Sequence, residues 1–150
     1  MATNAFNLLV LFRVSIGMLL LFSGFQKASL PYQNFLYAIQ IYDLLPSVIE
    51  EWTARVFPWV EIALGLFLCA GLWVRWSALA AAGAFLLFIF VIGQALVRGL
   101  PVDECGCFGE MISVPPHWMI GFDSLMFAML LLIFFRHERA GAFSLDRVLE

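Results

Sequence analysis

The chain has 150 residues, of which 63% are hydrophobic and only 13% charged, with a formal net charge of -3 and 16 phenylalanines. A soluble domain of this size carries roughly twice that charged fraction, and the apolar residues here fall into runs that each match a bilayer thickness. A soluble globule is therefore excluded, the lack of a basic tract excludes nucleic acid as a partner, and the length allows a single domain, 1–150.

The first run, about Phe6 to Phe25, is long enough to span. No basic residue precedes it, Arg13 lies inside it and further spans follow, so it reads as a retained helix and not a cleaved signal. Gly17 and Gly24 are small residues that let a neighbouring helix approach. From Tyr32 to Leu45, the residues Phe35, Leu36, Ile39, Tyr42 and Leu45 recur at helical spacing, which predicts a short amphipathic helix at the membrane surface. Pro46 ends it, and Ser47 with Glu50 reads as a capping box for the next helix. That helix is expected to pass through Pro58, with a kink, into a second span of about Trp59 to Trp73. Arg75 marks a tight turn, and Ser77 to Val97 forms the third span, broken by Arg98-Gly99-Leu100-Pro101. His117-Trp118 opens a fourth span that carries Asp123 and ends at Phe135; the polar tail holds a surface helix over Ala142 to Leu149. The expected fold is an all-α integral membrane protein. It is a four-transmembrane-helix bundle, with spans of about 6–26, 58–74, 77–97 and 118–135 and an extra amphipathic helix in the first extracytoplasmic loop.

Four spans put both termini on one face, together with Arg75, Arg136, Arg139 and Arg147, against Lys27, Arg55 and Arg98 on the other. The positive-inside rule then places both termini in the cytoplasm of a bacterial inner membrane and the 99–116 connection outside. Helical rise, about 1.5 Å per residue, puts nearly every polar side chain of the spans in the outer third. These are Lys27, Glu61, Gln94, Arg98, His117 and, roughly 8 Å deeper by the same rise, Asp123. Arg13 is the exception, near enough to the cytoplasmic side to snorkel. The cluster has two compatible readings: an ion-pair network that holds four helices in register, or a pocket for a quinone-like head group that manages protons. Cys69, deep in the second span, reads as a small packing residue.

The outer connection contains Cys105-Gly106-Cys107-Phe108-Gly109. A disulfide between these neighbours would close a very small ring and staple almost no chain, so a reversible redox role is better motivated than a structural one. Thiol–disulfide exchange needs an accessible thiolate with a resolving partner beside it, and the pair supplies both. Arg98, Lys27 and His117 would favour a thiolate, whereas Asp103, Glu104 and Glu110 would disfavour it. A metal site is the next reading. Two sulfurs with His117, Asp103 or Glu104 could make a tetrahedral set, but the spacing is not that of zinc knuckles; copper(I) would accept two thiolates more readily. Inert thiols are the third. No metal ligand set is assigned.

Several stretches resemble the DoxX-like membrane proteins: Arg13…Gly17…Phe22-Ser23-Gly24-Phe25-Gln26-Lys27, then Pro58-Trp59-Val60-Glu61-Ile62 with Gly65 and Gly71. Arg98-Gly99 ahead of the cysteine pentapeptide, with Asp123 in the last span, is similar to the MauE (methylamine utilisation) branch. The resemblance runs from about Phe6 to Phe135 and departs at Phe122, where relatives carry an arginine ahead of the aspartate. It implies a redox-associated four-helix bundle that supports disulfide-rich periplasmic partners or quinone-linked systems. The resulting expectation is a thiol–disulfide oxidoreductase whose cofactor is the Cys105/Cys107 redox-active disulfide. Its partner would be an extracytoplasmic thioredoxin-like or disulfide-containing protein, and its second redox partner a membrane quinone held near Lys27, Glu61, Gln94, Arg98, His117 and Asp123. The alternatives are a non-catalytic subunit that anchors or assembles a redox enzyme complex, and a copper-handling protein.

Overall fold

The computed structural model describes residues 2–100 and 115–137, with side chains from Leu8 onward except Pro116. Cys105, Cys107 and the 142–149 helix expected from sequence lie outside the described residues. The described chain is helical throughout: α1 (Ala2–Ser29), α2 (Tyr32–Tyr42), α3 (Ser47–Ala70), α4 (Val74–Arg98) and α5 (Pro116–Phe135). All but α2 are long and apolar enough to cross a bilayer. Their outer surfaces are apolar, with Met18, Phe25, Phe90, Val97 and Phe135 all exposed, as lipid-facing positions should be. Exposed tryptophans gather toward the helix ends: Trp52 and Trp118 at one, Trp73 and Trp76 at the other. Amphipathic rings of this kind belong at the membrane–water interfaces. The chain is a multi-pass membrane protein.

Helix ends depart from the expectation where a local backbone cap outweighs hydropathy. α3 stops at Ala70, three residues before the expected Trp73, because Gly71 adopts the left-handed conformation (φ 69°) and returns its N–H to the Phe67 carbonyl. Glycine takes that conformation without steric cost. Trp73 is also left-handed (φ 45°), so the reversal is complete by Val74, and Arg75 lies inside the first turn of α4 instead of in the turn. There its guanidinium lies 5.9 Å from the Trp76 ring and 5.3 Å from the Phe134 ring, which ties the start of α4 to the end of α5. α2 ends at Tyr42, before Leu45, because Asp43 is left-handed (φ 46°).

The capping box is not formed. Pro46 is the N-cap of α3, no side chain caps the end, and the Ile49 and Glu50 amides donate to the Pro46 carbonyl at 2.9 and 3.1 Å. Ser47 therefore sits one position too far into the helix to cap it. Glu50 is instead buried in the first turn, where the helix dipole favours a negative side chain. α3 runs as one helix through Pro58.

The core follows a helical stripe. On α1 the buried positions are Arg13, Ile16, Gly17, Leu20, Ser23, Gly24, Gln26 and Lys27, most of them spaced three and four apart. α3 answers with Glu50, Ala54, Pro58, Glu61, Gly65 and Leu68. The two helices meet where side chains are smallest. A Cβ built on Gly65 would lie 2.7 Å from the Gly17 carbonyl oxygen, and one on Gly24 would lie 2.7 Å from the Pro58 carbonyl oxygen. Backbones this close are the usual device for packing helices in lipid, which offers no hydrophobic drive between them. Ile16, Leu20 and Leu68 then pack with Ala81, Phe85 and Ile133 to form the apolar half of the core.

Arg13 does not snorkel. It is 1% exposed, because its position on the stripe turns it into the bundle. Cys69 is half-buried beside it, and its thiol donates to the Val14 carbonyl oxygen at 3.7 Å. Its sulfur occupies the space that a Cβ on Gly17 would need, consistent with the packing role expected of it.

Candidate functional site

Two requirements meet toward the C-terminal end of α1. The stripe must continue to Lys27 to keep α1 on α3, and a cation buried away from water must find an anion. Lys27 finds Glu61. Its Nζ donates to both carboxylate oxygens at 2.9 Å and to Ser23 Oγ at 2.7 Å, with both side chains 1% exposed. Ser23 Oγ in turn lies 3.4 Å from Glu61 Oε1 and donates to it. An ammonium has three donors, and here three acceptor atoms take them. The rings of Phe35 on α2 and Phe88 on α4 flank the ammonium, with centroids 5.4 and 5.7 Å away. Their π faces favour the cation and exclude water from it.

Asp123, from α5, belongs to the same neighbourhood. It is 2% exposed and interacts electrostatically with Lys27. Its Oδ2 is buried with no hydrogen-bond partner among the described residues. The ion-pair reading thus acquires its geometry from three of the residues singled out by sequence, Lys27, Glu61 and Asp123.

The other three stand apart from this group. Arg98 donates through Nη1 to the carbonyls of Tyr42 (3.1 Å) and Asp43 (3.4 Å) and to Gln94 Oε1 (3.1 Å); its Nη2 reaches Asp43 Oδ2 at 3.4 Å. Gln94 Nε2 donates to the Tyr42 carbonyl at 3.4 Å. Both side chains are therefore committed to the C-terminal carbonyls of α2, the groups a helix end leaves without partners. They hold α2 against α4. His117 is exposed at the start of α5, its ring 6.0 Å from that of Trp118.

Arg98→Ala is expected to loosen α2 at a cost of about 1 kcal/mol or less, because the Arg98–Asp43 pair is largely exposed. Faster maleimide labelling of a cysteine placed at Leu44 would report it; an unchanged rate would assign the hold on α2 to its remaining contacts, Gln94 on the Tyr42 carbonyl and Phe35 on Phe57.

Sequence reasoning missed Ser23, Phe35 and Phe88. Ser23 was accessible in principle, since it precedes Lys27 by four residues and so shares its helix face. Spacing put Phe35 on the apolar face of the short helix without pointing it at Lys27, and nothing in composition or spacing set Phe88 apart from the other phenylalanines of the spans.

The same two rings join Phe57 in walling an apolar cavity of about 260 Å³ between α2, α3 and α4, with Thr53 and Tyr42 as its hydroxyl-bearing residues. Phe35 and Phe57 stack at 6.3 Å, and Phe57 meets Phe88 edge-on at 5.5 Å. A flat apolar head group suits such walls better than it suits the ion pair, whose donors are all taken. Among the described residues no group of three His, Cys, Asp or Glu side chains is placed to hold a metal ion.

The profile of the family described as methylamine utilisation protein MauE matches residues 5–136. The chain is 27% identical over 125 residues to methylamine utilization protein MauE of Paracoccus denitrificans, covering 83% of this chain and 67% of that protein. It is 33% identical over 81 residues to the protein of the same name from Methylophilus methylotrophus, 54% of this chain and 43% of the relative. It is also 29% identical over 100 residues to Protein TlpB of Flavobacterium psychrophilum, 64% of this chain but 27% of that protein. No solved structure matches. The matched segment takes in the polar cluster and all four long helices except the first residues of α1, and on that extent the chain belongs to the MauE family of methylamine utilisation proteins.

Proposed function

We propose that this membrane protein carries out thiol–disulfide exchange through Cys105 and Cys107. The observation that carries the reading is the pair itself: two thiols separated by a single glycine, in the segment joining α4 to α5. One thiolate attacks a sulfur of the partner's disulfide, forms a mixed disulfide and expels the other partner sulfur as a thiolate. The second cysteine then attacks the mixed disulfide, leaving a Cys105–Cys107 disulfide and a reduced partner. Two electrons and two protons pass between the pairs per cycle, and the same steps run in either direction. The partner is an extracytoplasmic thioredoxin-like or disulfide-containing protein, with both termini cytoplasmic in a bacterial inner membrane and α2 lying as an amphipathic helix in the outer loop. A DoxX-like affiliation is part of this reading.

A membrane quinone is the second redox partner in the reading. It would take the two electrons and two protons of the dithiol and leave as quinol. The aromatic cavity supports this role, since Phe35, Phe57 and Phe88 could hold a quinone ring while Thr53 supplies a hydroxyl. Gln94 and Arg98 would serve it indirectly, by holding α2 over the cavity. A second reading, a non-catalytic subunit that assembles a redox enzyme complex, is favoured by the internal saturation of the Lys27–Glu61 pair, which suits a clamp.

A maleimide mass tag separates these readings. In a Cys69→Ala background, two tags are expected after reduction and none after mild oxidation; equal labelling in both states would sink the exchange mechanism. Cys105→Ser or Cys107→Ser should abolish exchange with complex assembly intact, whereas loss of assembly alone would favour the scaffold. Metal analysis of the purified protein tests the copper alternative.

A further inference from the structure

The charges buried around Lys27 do not balance. Among the described residues the group contains one ammonium and two carboxyls, from three different helices. Glu61 takes the ammonium with both oxygens, and Ser23 takes its remaining hydrogen. Asp123 Oδ2 is buried and has no hydrogen-bond partner among the described residues.

Among the described residues no other helix makes up the difference. α4 carries only Arg75 and Arg98, at its two ends and engaged elsewhere. α2 contains no charged residue, and Asp43 beyond it is exposed. On α3, Glu50, Glu51 and Arg55 lie nearer the N-terminus, with Arg55 paired to Glu51 at 2.6 Å. On α1 the other cation, Arg13, is 14 residues from Lys27, roughly 21 Å along the axis at helical rise. On α5 itself His117 is exposed at the N-terminal end.

A second carboxylate anion here would be a buried charge inside a membrane, sharing one ammonium with Glu61 and with no donor on Oδ2. A carboxylic acid at the same place is electrically neutral and carries its own O–H donor. We infer that Asp123 is a proton-binding site: the Lys27–Glu61–Asp123 group binds one exchangeable proton, held on Asp123, and is neutral with it and singly negative without it. Its use rests on the exchange mechanism above. Oxidising a dithiol to a disulfide releases two protons with two electrons, and a quinone that accepts the electrons takes up two protons. Asp123 would pass those protons singly between the two. The existence of the site does not depend on that use.

Infrared difference spectra between acid and alkaline buffer, recorded on the full chain in phosphatidylcholine vesicles, test the site directly. The expected result is a carboxylic-acid C=O stretch at neutral pH that shifts in D2O. It should persist in Cys105→Ser/Cys107→Ser, weaken in Glu61→Gln, where the freed ammonium can pair with an ionised Asp123, and disappear in Asp123→Asn. If Asp123→Asn does not fold, wild-type protein grown on carboxyl-labelled aspartate keeps the test decisive, because the band must then move with the label. A wild-type protein with no such band at neutral pH, a band unchanged in Asp123→Asn, or one insensitive to labelled aspartate would each overturn the inference. A band present in wild-type protein whose Cys105/Cys107 pair labels equally after reduction and after mild oxidation would refute the proposed function alone.

Discussion

Lys27→Met should cost the bundle about 3–5 kcal/mol, the usual result of removing one partner from a buried ion pair. The cost arises from what remains. Glu61 would keep its burial, lose both strong hydrogen bonds and retain only the 3.4 Å contact with Ser23. The reverse change, Glu61→Gln, should cost less, because the stranded ammonium still has Ser23 at 2.7 Å and two aromatic faces. Desolvation dominates over attraction in such pairs, so the double change Lys27→Met/Glu61→Leu should recover most of the loss. Unfolding in mixed micelles with increasing SDS measures all three. A double variant as unstable as Lys27→Met would show that the pair contributes something other than mutual neutralisation.

Gly65→Leu is the second large effect, expected at about 3 kcal/mol, the upper part of the usual range for overpacking. The first added carbon alone would meet the Gly17 carbonyl oxygen at 2.7 Å, the Leu21 side chain at 2.8 Å and the Leu21 amide at 2.9 Å. Two of these three neighbours are backbone and cannot rotate away. The α1–α3 seam would have to open, and Lys27 would move from Glu61 with it. Gly83→Leu is the matched control, since a Cβ there meets nothing within 4 Å. It adds the same side chain to a transmembrane helix and should leave stability within about 0.5 kcal/mol. Equal losses for the two variants would mean that helix approach at Gly65 is not what limits packing.

Hydropathy and helical rise act along the membrane normal, and that was enough to find the four long helices and to put Lys27, Glu61 and Asp123 in one layer. The errors in helix ends came from caps worth only about 1 kcal/mol each. Gly71 ended α3 early, and Pro46 displaced Ser47 from the capping position. Signals of that size are lost against a run of apolar residues. The thiol pair is different: its spacing is the whole of its evidence, and the described residues do not include it.

What the sequence determined by itself is therefore depth: which segments cross, and which polar groups share a level. Only the tertiary structure decided azimuth, the direction each side chain faces around its helix. Lys27, Gln94 and Arg98 were equally eligible partners for a carboxylate by depth. The close approach of Gly17, Gly24 and Gly65 sets α1 against α3, so Lys27 faces Glu61. Gln94 and Arg98 face outward along α4 and meet the open carbonyls of α2. Arg13, which depth alone would send to the interface, is carried inward by the same stripe. A periodic pattern of apolar residues gives no azimuth in a helix whose lipid face is as apolar as its core, and backbone contact at small residues supplies it.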